Sequence, residues 1–512
     1  MKIFRTFYAI TGILVYLIAC SQTLKFRTVT KYPEIQNTGH FVSIDGLWRV
    51  TAGTAIKYPH GTLEPILMVN NEAQGKITAR GCFLWENRFY DYWNFDSVQY
   101  INSTNELYLF YDDGGTYRGK VDQNKQVIRG IARWDEEDAS DTARIDFIRD
   151  ENFDIDRMFT PYPRGKDGSV KYSYRRPENI SDQLQTASIF GALKDTAAFY
   201  QLMERIIRQD FGRLESFLVL KDQKLILEEY FYNYNRMQLH PVHSVTKSIT
   251  SLLLGIALER HGNLEVDTPV FNFFPHYDSL ITPEKEKITL KHVLTMSSGF
   301  PEDDEFEKNN PNDVVKQMLV QPLESAPGEK FNYNGNNSNL LGSIIYALEE
   351  KQADDFAKEV LFNKLGISQF RWEKENGVVP CQSELQMLPR DMAKIGLLVA
   401  NKGVWNGEQL VPKKWIEMSG KAHVPETEFF DYGFQWWYRS KRNRAWWENP
   451  VHGSKDEHDM FLALGYGGQY IMIVKDLDLV IAITSSDYNE ENGMAHQKIP
   501  LVVEELVPLF DE

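Results

Sequence analysis

One serine and one lysine stand three residues apart at the start of a predicted helix, a spacing that can support covalent acyl transfer. The segment Pro241-Val-His-Ser-Val-Thr-Lys turns helical at Ser244, and apolar residues then recur at helical spacing from Ile249 to Ala257. At positions i and i+3, Ser244 and Lys247 share one helix face, and the helix N-terminus favours negative charge developing near the serine. A serine hydroxyl needs a base, and a desolvated lysine can serve as one.

The Ser-x-x-Lys tetrad alone is a weak signal, because about one or two are expected by chance at this serine and lysine usage. Its position adds weight. Ser244 is the only serine of the chain with lysine at the third following position, and it falls at a helix start behind Pro241.

Further motifs follow the tetrad in chain order. They are residues 288–300 (ITLKHVLTMSSGF), 327–342 (PGEKFNYNGNNSNLLG), 388–398 (LPRDMAKIGLL), 432–437 (YGFQWW) and 465–470 (GYGGQY). With the tetrad, they resemble the serine β-lactamase and penicillin-binding protein superfamily over about residues 185–510. Within it they look most like the class C branch, and there the esterases and aminohexanoate-dimer hydrolases.

The resemblance implies acyl transfer through a serine acyl-enzyme, with no cofactor and no metal. It makes Ser244 the nucleophile, Lys247 its base and Tyr333 the proton relay that protonates the leaving group and later activates water. A phenolate is favoured beside a lysine ammonium, so Lys247 and Tyr333 are coherent as one coupled relay. Backbone N–H groups of Ser244 and Tyr466 are expected to form the oxyanion hole, with Gly468 as the alternative to Tyr466.

Two departures from the class C pattern bear on the substrate. Tyr333-Asn334-Gly335 has glycine where class C enzymes carry asparagine, and Asn334 or Asn336 could replace the missing amide. The third motif reads Gly-Tyr-Gly at 465–467, without the cation that binds a substrate carboxylate. Both changes favour a small ester or linear amide over a β-lactam. The predicted substrate-binding residues are Asn334, Gly335, Trp436, Gly465 and Gly467.

Several alternatives stay open. A non-catalytic lipoprotein that only recognises an envelope ligand would explain the two departures as a decayed site, and a D-amino-acid peptidase is a second alternative. Core packing is as well supported as an acyl pocket for Trp436 and Trp437. His243 is expected to pack or to form a hydrogen bond rather than act as a base, and the acidic run at 302–305 is expected to be a solvated loop.

The N-terminus has the layout of a bacterial signal peptide. Lys2 and Arg5 precede an uncharged run from Phe7 to Ala19, which is too short to span a bilayer. Leu-Ile-Ala-Cys at 17–20 resembles a lipobox, which implies cleavage before Cys20 and a lipid anchor on its sulfur. An ordinary secretory signal is the alternative. The expected location is the bacterial cell envelope, with membrane contact through the lipid alone.

Composition and pattern give the domain organisation. The chain has 512 residues, of which 42% are hydrophobic and 25% charged, as in soluble globular proteins, and its net charge of −16 disfavours nucleic-acid partners. Three cysteines signal no structural zinc site. The expected partner is a small ester or amide substrate, and the oligomeric state is not assigned.

The predicted fold is α+β. The resemblance implies a β-lactamase-like domain, with an antiparallel sheet flanked by helices and a helical subdomain, and a small all-β barrel or sandwich is expected before it. Gly46-Leu-Trp48 faintly resembles the opening of lipocalin-like barrels. Aromatic residues of this β domain could line a ligand cavity, but core packing is the stronger expectation. The predicted segments are a signal peptide at 1–19, a linker at 20–40, the β domain at 41–150, a linker at 151–185 and the hydrolase-like domain at 186–512.

Overall fold

The structure of the chain is a computed structural model. It describes residues 46–51, 56–58, 61–71, 77–85, 88–93, 95–101, 103–111, 115–133, 142–150, 171–232, 234–262, 265–301, 314–375, 377–425, 431–440, 458–487 and 494–510. The predicted signal peptide, Cys20, the linker at 20–40 and the acidic run at 302–305 lie outside these residues, as do residues 151–170 of the second linker. The described residues form two compact units, one before residue 151 and one from residue 171 onward.

The N-terminal unit is one continuous antiparallel sheet in the order β5-β4-β3-β1-β10-β9-β8-β7-β6, with β2 paired to β3. The described pairs form one ladder rather than two separate sheets, and the choice between a barrel and a sandwich stays a prediction. The ten strands are β1 (Gly46–Val50), β2 (Ile56–Tyr58), β3 (Gly61–Asn71), β4 (Ile77–Trp85), β5 (Arg88–Trp93), β6 (Phe95–Ile101), β7 (Glu106–Tyr111), β8 (Thr116–Asp122), β9 (Val127–Arg133) and β10 (Thr142–Arg149).

The core of this unit is built around Tyr117. Buried residues alternate along β7 and β8, as the period of two in a half-buried strand requires. The Tyr117 ring is fully buried, packs edge-on against Phe147 at 5.6 Å between centroids, and its hydroxyl donates to the Ile145 carbonyl at 3.0 Å. Gly119 and Gly130, paired across β8 and β9, leave the space that the ring occupies. These contacts support core packing for this aromatic residue.

We predict that Gly130→Ala destabilises the N-terminal unit by about 1–3 kcal/mol, the usual cost of overpacking a core. An added Cβ would lie 2.4 Å from the Tyr117 ring and 2.6 Å from the Arg118 carbonyl oxygen. Hydrogen exchange of the β8 and β9 amides in the full chain measures the effect. Gly191→Ala is the control, because no atom lies within 4 Å of a Cβ built there. Unchanged exchange in Gly130→Ala would refute the packing account.

The C-terminal unit has a nine-stranded sheet in the order β11-β13-β12-β24-β23-β22-β21-β20-β19, and all its pairs are antiparallel except β11 with β13. Two small sheets, β14-β16-β15 and β17-β18, accompany it. The strands are β11 (Gln185–Thr186), β12 (Leu214–Lys221), β13 (Lys224–Tyr230), β14 (His240–Pro241), β15 (Phe370–Trp372), β16 (Leu385–Met387), β17 (Val404–Trp405), β18 (Glu408–Gln409), β19 (Val424–Pro425), β20 (Asp431–Tyr432), β21 (Trp437–Arg439), β22 (Met460–Gly465), β23 (Gln469–Val474) and β24 (Leu479–Ser485).

Helices accompany this sheet, and none in the described part of the chain is long and apolar enough to cross a membrane. They are α1 (Thr196–Ile207), α2 (Val245–Arg260), α3 (Leu290–Leu294), α4 (Val314–Val320), α5 (Gly335–Glu349), α6 (Ala353–Ala357), α7 (Pro389–Ala400), α8 (Lys413–Ser419) and α9 (Met494–Leu506). Short 3₁₀ segments lie at Ile189–Gly191, Val270–Phe273, Pro275–Leu280, Lys285–Lys287, Lys475–Leu477 and Val507–Leu509, and a short π-helix lies at Lys358–Phe362.

Helix α2 is central to the C-terminal unit. Every residue from Val245 to Leu258 is buried, including four with hydroxyl groups, so the helix is enclosed on all sides rather than amphipathic. It packs on α5, while α7 packs on β12, β23 and β24. Gly396 permits that close approach of α7, since a Cβ there would lie 2.5 Å from Val480 Cγ1. The predicted α+β fold, with an antiparallel sheet flanked by helices after an all-β region, is confirmed.

Candidate active site

The nucleophile candidate Ser244 lies on a strand-turn-helix connection. Strand β14 pairs with β16, and the N–H of Val242 continues that pairing by donating to the Leu385 carbonyl at 2.8 Å. His243 turns the chain in the left-handed region at φ 47°, and Ser244 then takes helical angles of φ −66° and ψ −9°. A serine at this position usually caps the helix with its side chain. Here Ser244 makes no such bond, so its hydroxyl is available to Lys247.

Lys247 is buried at 3% exposure and is held by polar contacts on two sides. Its Nζ donates to Ser244 Oγ at 3.0 Å and to the Gln382 carbonyl at 2.8 Å. It also lies 5.1 Å from the centroid of the Tyr333 ring. The structure thus brings together the three predicted catalytic side chains, which are up to 89 positions apart in the sequence.

Tyr333 is positioned by an aromatic cluster. Its ring stacks on Trp437 at 5.6 Å between centroids with 27° between planes, and meets Tyr432 edge-on at 6.2 Å. Tyr432 and Trp437 are themselves buried and in contact at 4.8 Å. The cluster holds the Tyr333 ring beside the lysine, because the planes of two buried aromatic residues restrict its tilt.

Asn334 begins helix α5 and has structural partners. Its Oδ1 accepts from the Asn336 N–H at 2.9 Å as the helix cap, and its Nδ2 donates to the Pro301 carbonyl at 2.7 Å. Gly335 is the first residue of the helix. Both polar ends of the Asn334 amide are therefore engaged in holding the loop that carries Tyr333.

Asn336, the other candidate for a substrate amide, lines a cleft of about 530 Å³ on the side of α5 that includes Asn339 and Tyr346. Ser244, Lys247 and Tyr333 are not among the residues that line this cleft. The described contacts therefore place neither Asn334 nor Asn336 as a ready replacement for the missing amide.

The predicted oxyanion strand ends directly against the nucleophile turn. A Cβ on Gly465 would lie 2.3 Å from the Val242 carbonyl oxygen, so only glycine allows this approach. The Gly468 N–H donates back to the Gly465 carbonyl at 3.2 Å, which commits that amide to the turn and favours Tyr466 as the donor. Gly467 and Gly468 take φ of 73° and 93°, the left-handed conformation that favours glycine.

The two tryptophans of the motif at 432–437 have different packing partners. Trp436 is fully buried and stacks on Phe461 at 4.5 Å with 24° between planes, so it belongs to the core. Trp437 contacts Tyr333 instead. The contacts favour the packing alternative for Trp436, and Trp437 packs on Tyr333, a candidate catalytic residue.

Sequence reasoning missed two contributors. The Gln382 carbonyl that accepts from Lys247 is a backbone group, and no residue type marks it in a sequence. The second is Tyr432, which packs against Tyr333. Its place in the motif at 432–437, which the resemblance covers, was the signal that could have indicated this role.

His243 adjoins the nucleophile but is a weak base. Burial, with the charge of Lys247 adding to it, lowers the pKa of the His243 imidazole to about 4. The ring packs edge-on against Tyr466 at 5.7 Å. The neutral imidazole at pH 7 therefore contributes packing between the nucleophile turn and the oxyanion strand.

We predict that acidification destabilises the protein through His243. Its pKa is lower when folded than the 6.5 of a free histidine, so the unfolded chain binds more protons between pH 6.5 and 4. The contribution of His243 to the free energy of unfolding should fall by about 2 kcal/mol between pH 7 and 5, so the wild type should lose about that much more stability than a variant without this imidazole. Urea unfolding at both pH values measures this change. The control is His243→Asn, since asparagine tolerates the left-handed region. Equal losses in the two proteins would contradict the prediction.

The fold and this geometry define a class, the beta-lactamase and transpeptidase-like serine hydrolase superfamily. Residues 203–503 match the family model described as Beta-lactamase. Because the match covers more than half of the chain, the protein belongs to the beta-lactamase family.

Individual relatives are distant. Protein flp of Staphylococcus aureus (strain N315) is 32% identical over 164 residues, which cover 28% of this chain and 32% of that protein. The chain therefore spans about a third of the length of that relative. Uncharacterized protein BpOF4_21049 of Alkalihalophilus pseudofirmus is 22% identical over 311 residues, covering 54% of this chain and 85% of that one. A solved structure of a candidate beta-lactamase from Bacteroides dorei DSM 17855 covers 62% of this chain and 99% of its own, at 16% identity and TM-score 0.51, a likeness of fold alone.

Proposed function

We propose that this protein is a serine hydrolase that cleaves a small ester or linear amide through an acyl-serine intermediate. The observation that carries the proposal is the contact of 3.0 Å between Lys247 Nζ and Ser244 Oγ, made beside the Tyr333 ring. A nucleophile within hydrogen-bond reach of its base is the geometry that this chemistry requires.

In the proposed acylation, Ser244 Oγ attacks the substrate carbonyl carbon and its proton passes to Lys247. The developing oxyanion accepts hydrogen bonds from the N–H groups of Ser244 and Tyr466. Among the described residues, no backbone carbonyl accepts the N–H of Ser244, which supports this role. Tyr333 then gives a proton to the leaving alcohol or amine as the carbonyl carbon–leaving group bond breaks.

In the proposed deacylation, the Lys247 and Tyr333 relay takes a proton from water. The hydroxide so formed attacks the acyl carbon, and the bond to Ser244 Oγ breaks. The serine oxygen recovers its proton from the same relay, which restores the starting state.

The substrate preference follows from the third motif. Lysine in place of Gly465 would meet the Val242 carbonyl oxygen, because even a Cβ there lies 2.3 Å away. The third motif therefore offers no cation to a substrate carboxylate. β-Lactams and D-amino-acid peptides carry such a carboxylate and would bind without its charged partner. A neutral ester or linear amide has no such requirement.

The proposed location is the bacterial cell envelope, with a lipid anchor at Cys20. This part of the proposal rests on the lipobox-like sequence at residues 17–20, and mass analysis of the N-terminal peptide of the membrane fraction tests it. A diacylglyceryl cysteine at the new N-terminus would support it, and an uncleaved or unmodified N-terminus would refute it.

We expect a fluorophosphonate to add once to the protein and the adduct to be absent from Ser244→Ala, because only an activated serine attacks phosphorus at a useful rate. Intact-mass spectrometry measures it. Ser251→Ala is the matched control, since it removes another buried hydroxyl of α2 and should keep the adduct. A folded wild-type protein with neither adduct nor ester turnover would shift the assignment to a non-catalytic binding protein.

We also expect kcat/KM for a short-chain p-nitrophenyl ester to exceed that for a chromogenic cephalosporin by about a hundredfold, since two polar contacts worth about tenfold each are missing. A second comparison tests the missing cation directly. It uses a D-alanyl-D-alanine peptide with either a free or an amidated C-terminus, and release of the terminal residue is measured. The two should be cleaved equally slowly. A preference of tenfold or more for the free carboxylate would contradict the proposed neutral substrate class.

A further inference from the structure

Gln435 is a buried polar residue at a junction beside the candidate site. It is 1% exposed, lies between β20 and β21, and takes a left-handed φ of 61°. A residue other than glycine is uncommon in that region and persists there only when its surroundings hold it. The hydrogen bonds of Gln435 show what holds it.

The first group of bonds reaches α2 and the end of α3. The Gln435 carbonyl accepts from Ser248 Oγ at 2.7 Å, one residue after Lys247 on α2. Its backbone N–H and its Nε2 both donate to the Leu294 carbonyl, at 3.0 and 2.9 Å. The turn is therefore tied to the helix that carries the nucleophile and its base.

The second bond reaches α5. Gln435 Oε1 accepts from Ser338 Oγ at 2.6 Å, and Ser338 is fully buried. Helix α5 begins two residues after Tyr333. The Gln435 side-chain amide thus joins two helices. Its Nε2 donates to the end of α3, and its Oε1 accepts from α5, the helix that follows Tyr333.

Gln435 also lies between the two aromatic residues that hold Tyr333. Tyr432 precedes it by three positions and Trp437 follows it by two, and both contact the Tyr333 ring. A shift of this turn would move the aromatic cluster and α5 together relative to α2.

We propose that Gln435 is a positioning residue that sets the placement of Tyr333 relative to Lys247. The inference rests on the proposed hydrolase function for its kinetic consequence. The requirement is for an amide, because glutamate would keep the acceptor for Ser338 but put an oxygen against the Leu294 carbonyl, and alanine would supply neither group.

The kinetic test compares Gln435→Ala, Gln435→Gly and Gln435→Glu with the wild type. Glycine suits the left-handed turn, so Gln435→Gly loses the side chain without backbone strain. We expect kcat for the p-nitrophenyl ester, per serine titrated with fluorophosphonate, to fall at least about tenfold in all three, because each variant loses one or both hydrogen bonds of the side-chain amide. The acid limb of the pH–rate profile should move, since the relay is disturbed, and KM should change less than kcat.

Gln183→Ala is the matched control. Gln183 also has a left-handed φ, of 71°, and its Oε1 accepts from Trp405 Nε1 and Asn406 Nδ2, both at 2.8 Å. Its described hydrogen bonds reach Trp405 and Asn406 and not the candidate catalytic side chains, so this variant should keep kcat within about twofold and leave the pH profile in place. If Gln183→Ala and Gln435→Ala behave alike, the role of Gln435 is general to folding and the proposal is wrong.

A spectroscopic readout keeps the test independent of turnover. With 3-fluorotyrosine at position 333 alone, the ¹⁹F shift reports the stacking of this ring on Trp437. We expect the resonance to move or broaden in the Gln435 variants and to stay in place in Gln183→Ala. An unmoved resonance in folded Gln435→Ala would overturn the proposal whatever the activity. A moved resonance in a protein without turnover or labelling would support the positioning role while refuting the hydrolase function.

Ser338→Ala decides the matter if the Gln435 variants do not fold. It removes only the hydroxyl that bonds Gln435 Oε1, and circular dichroism monitors folding. We expect the ¹⁹F resonance of Ser338→Ala to move or broaden relative to the wild type. Where Gln435→Ala and Ser338→Ala both fold, their effects on kcat should not add in the double variant, because both remove the hydrogen bond between Ser338 and Gln435. An unchanged resonance in Ser338→Ala, or full additivity, would count against the route through α5.

Discussion

The site depends on one constraint: the terminal nitrogen of Lys247 is buried and must keep polar partners. Its hydrogen bonds go to Ser244, directly before α2, and to the Gln382 carbonyl before β16, with the Tyr333 ring nearby. These partners come from segments far apart in the sequence. Removing one of these partners would leave the buried Lys247 amine without one of its polar contacts. The packing of α2, of α5 and of the turn at 432–437 therefore depends on this amine.

The parts of the site that are local in sequence could be predicted. The helix start at Ser244, the i to i+3 spacing to Lys247 and the loop that carries Tyr333 are patterns within short segments. The turn residues at 221–224 also predict a hairpin with strands at 217–220 and 225–231. The observed strands are Leu214–Lys221 and Lys224–Tyr230, so the first is longer than predicted and the second is offset by one residue. The Gln382 carbonyl and the bonds of Gln435 were not predictable, because backbone acceptors and pairings between distant segments leave no local signature.

The N-terminal unit illustrates another limit of sequence patterns. Short runs of aromatic and β-branched residues, separated by turn residues, predict strands at 41–150, and the β7 and β8 ladder agrees. The same pattern could not distinguish a ligand cavity from a packed core, since both are lined by apolar side chains. The distinction at Tyr117 comes from two glycines on neighbouring strands, whose missing side chains make room for one ring.

The glycine at the start of the third motif is better explained by the local packing than by decay of the site. Gly465 lies where a Cβ would meet the carbonyl oxygen of Val242, two residues before the nucleophile, so the missing cation is coupled to the placement of Ser244. Gly335 opens α5 directly after Asn334, whose amide caps that helix and bonds Pro301. A decayed site would be expected to lose the contacts around its former catalytic groups. Here Ser244, Lys247 and Tyr333 keep theirs, which supports an active hydrolase whose substrate carries no carboxylate to be bound at the third motif.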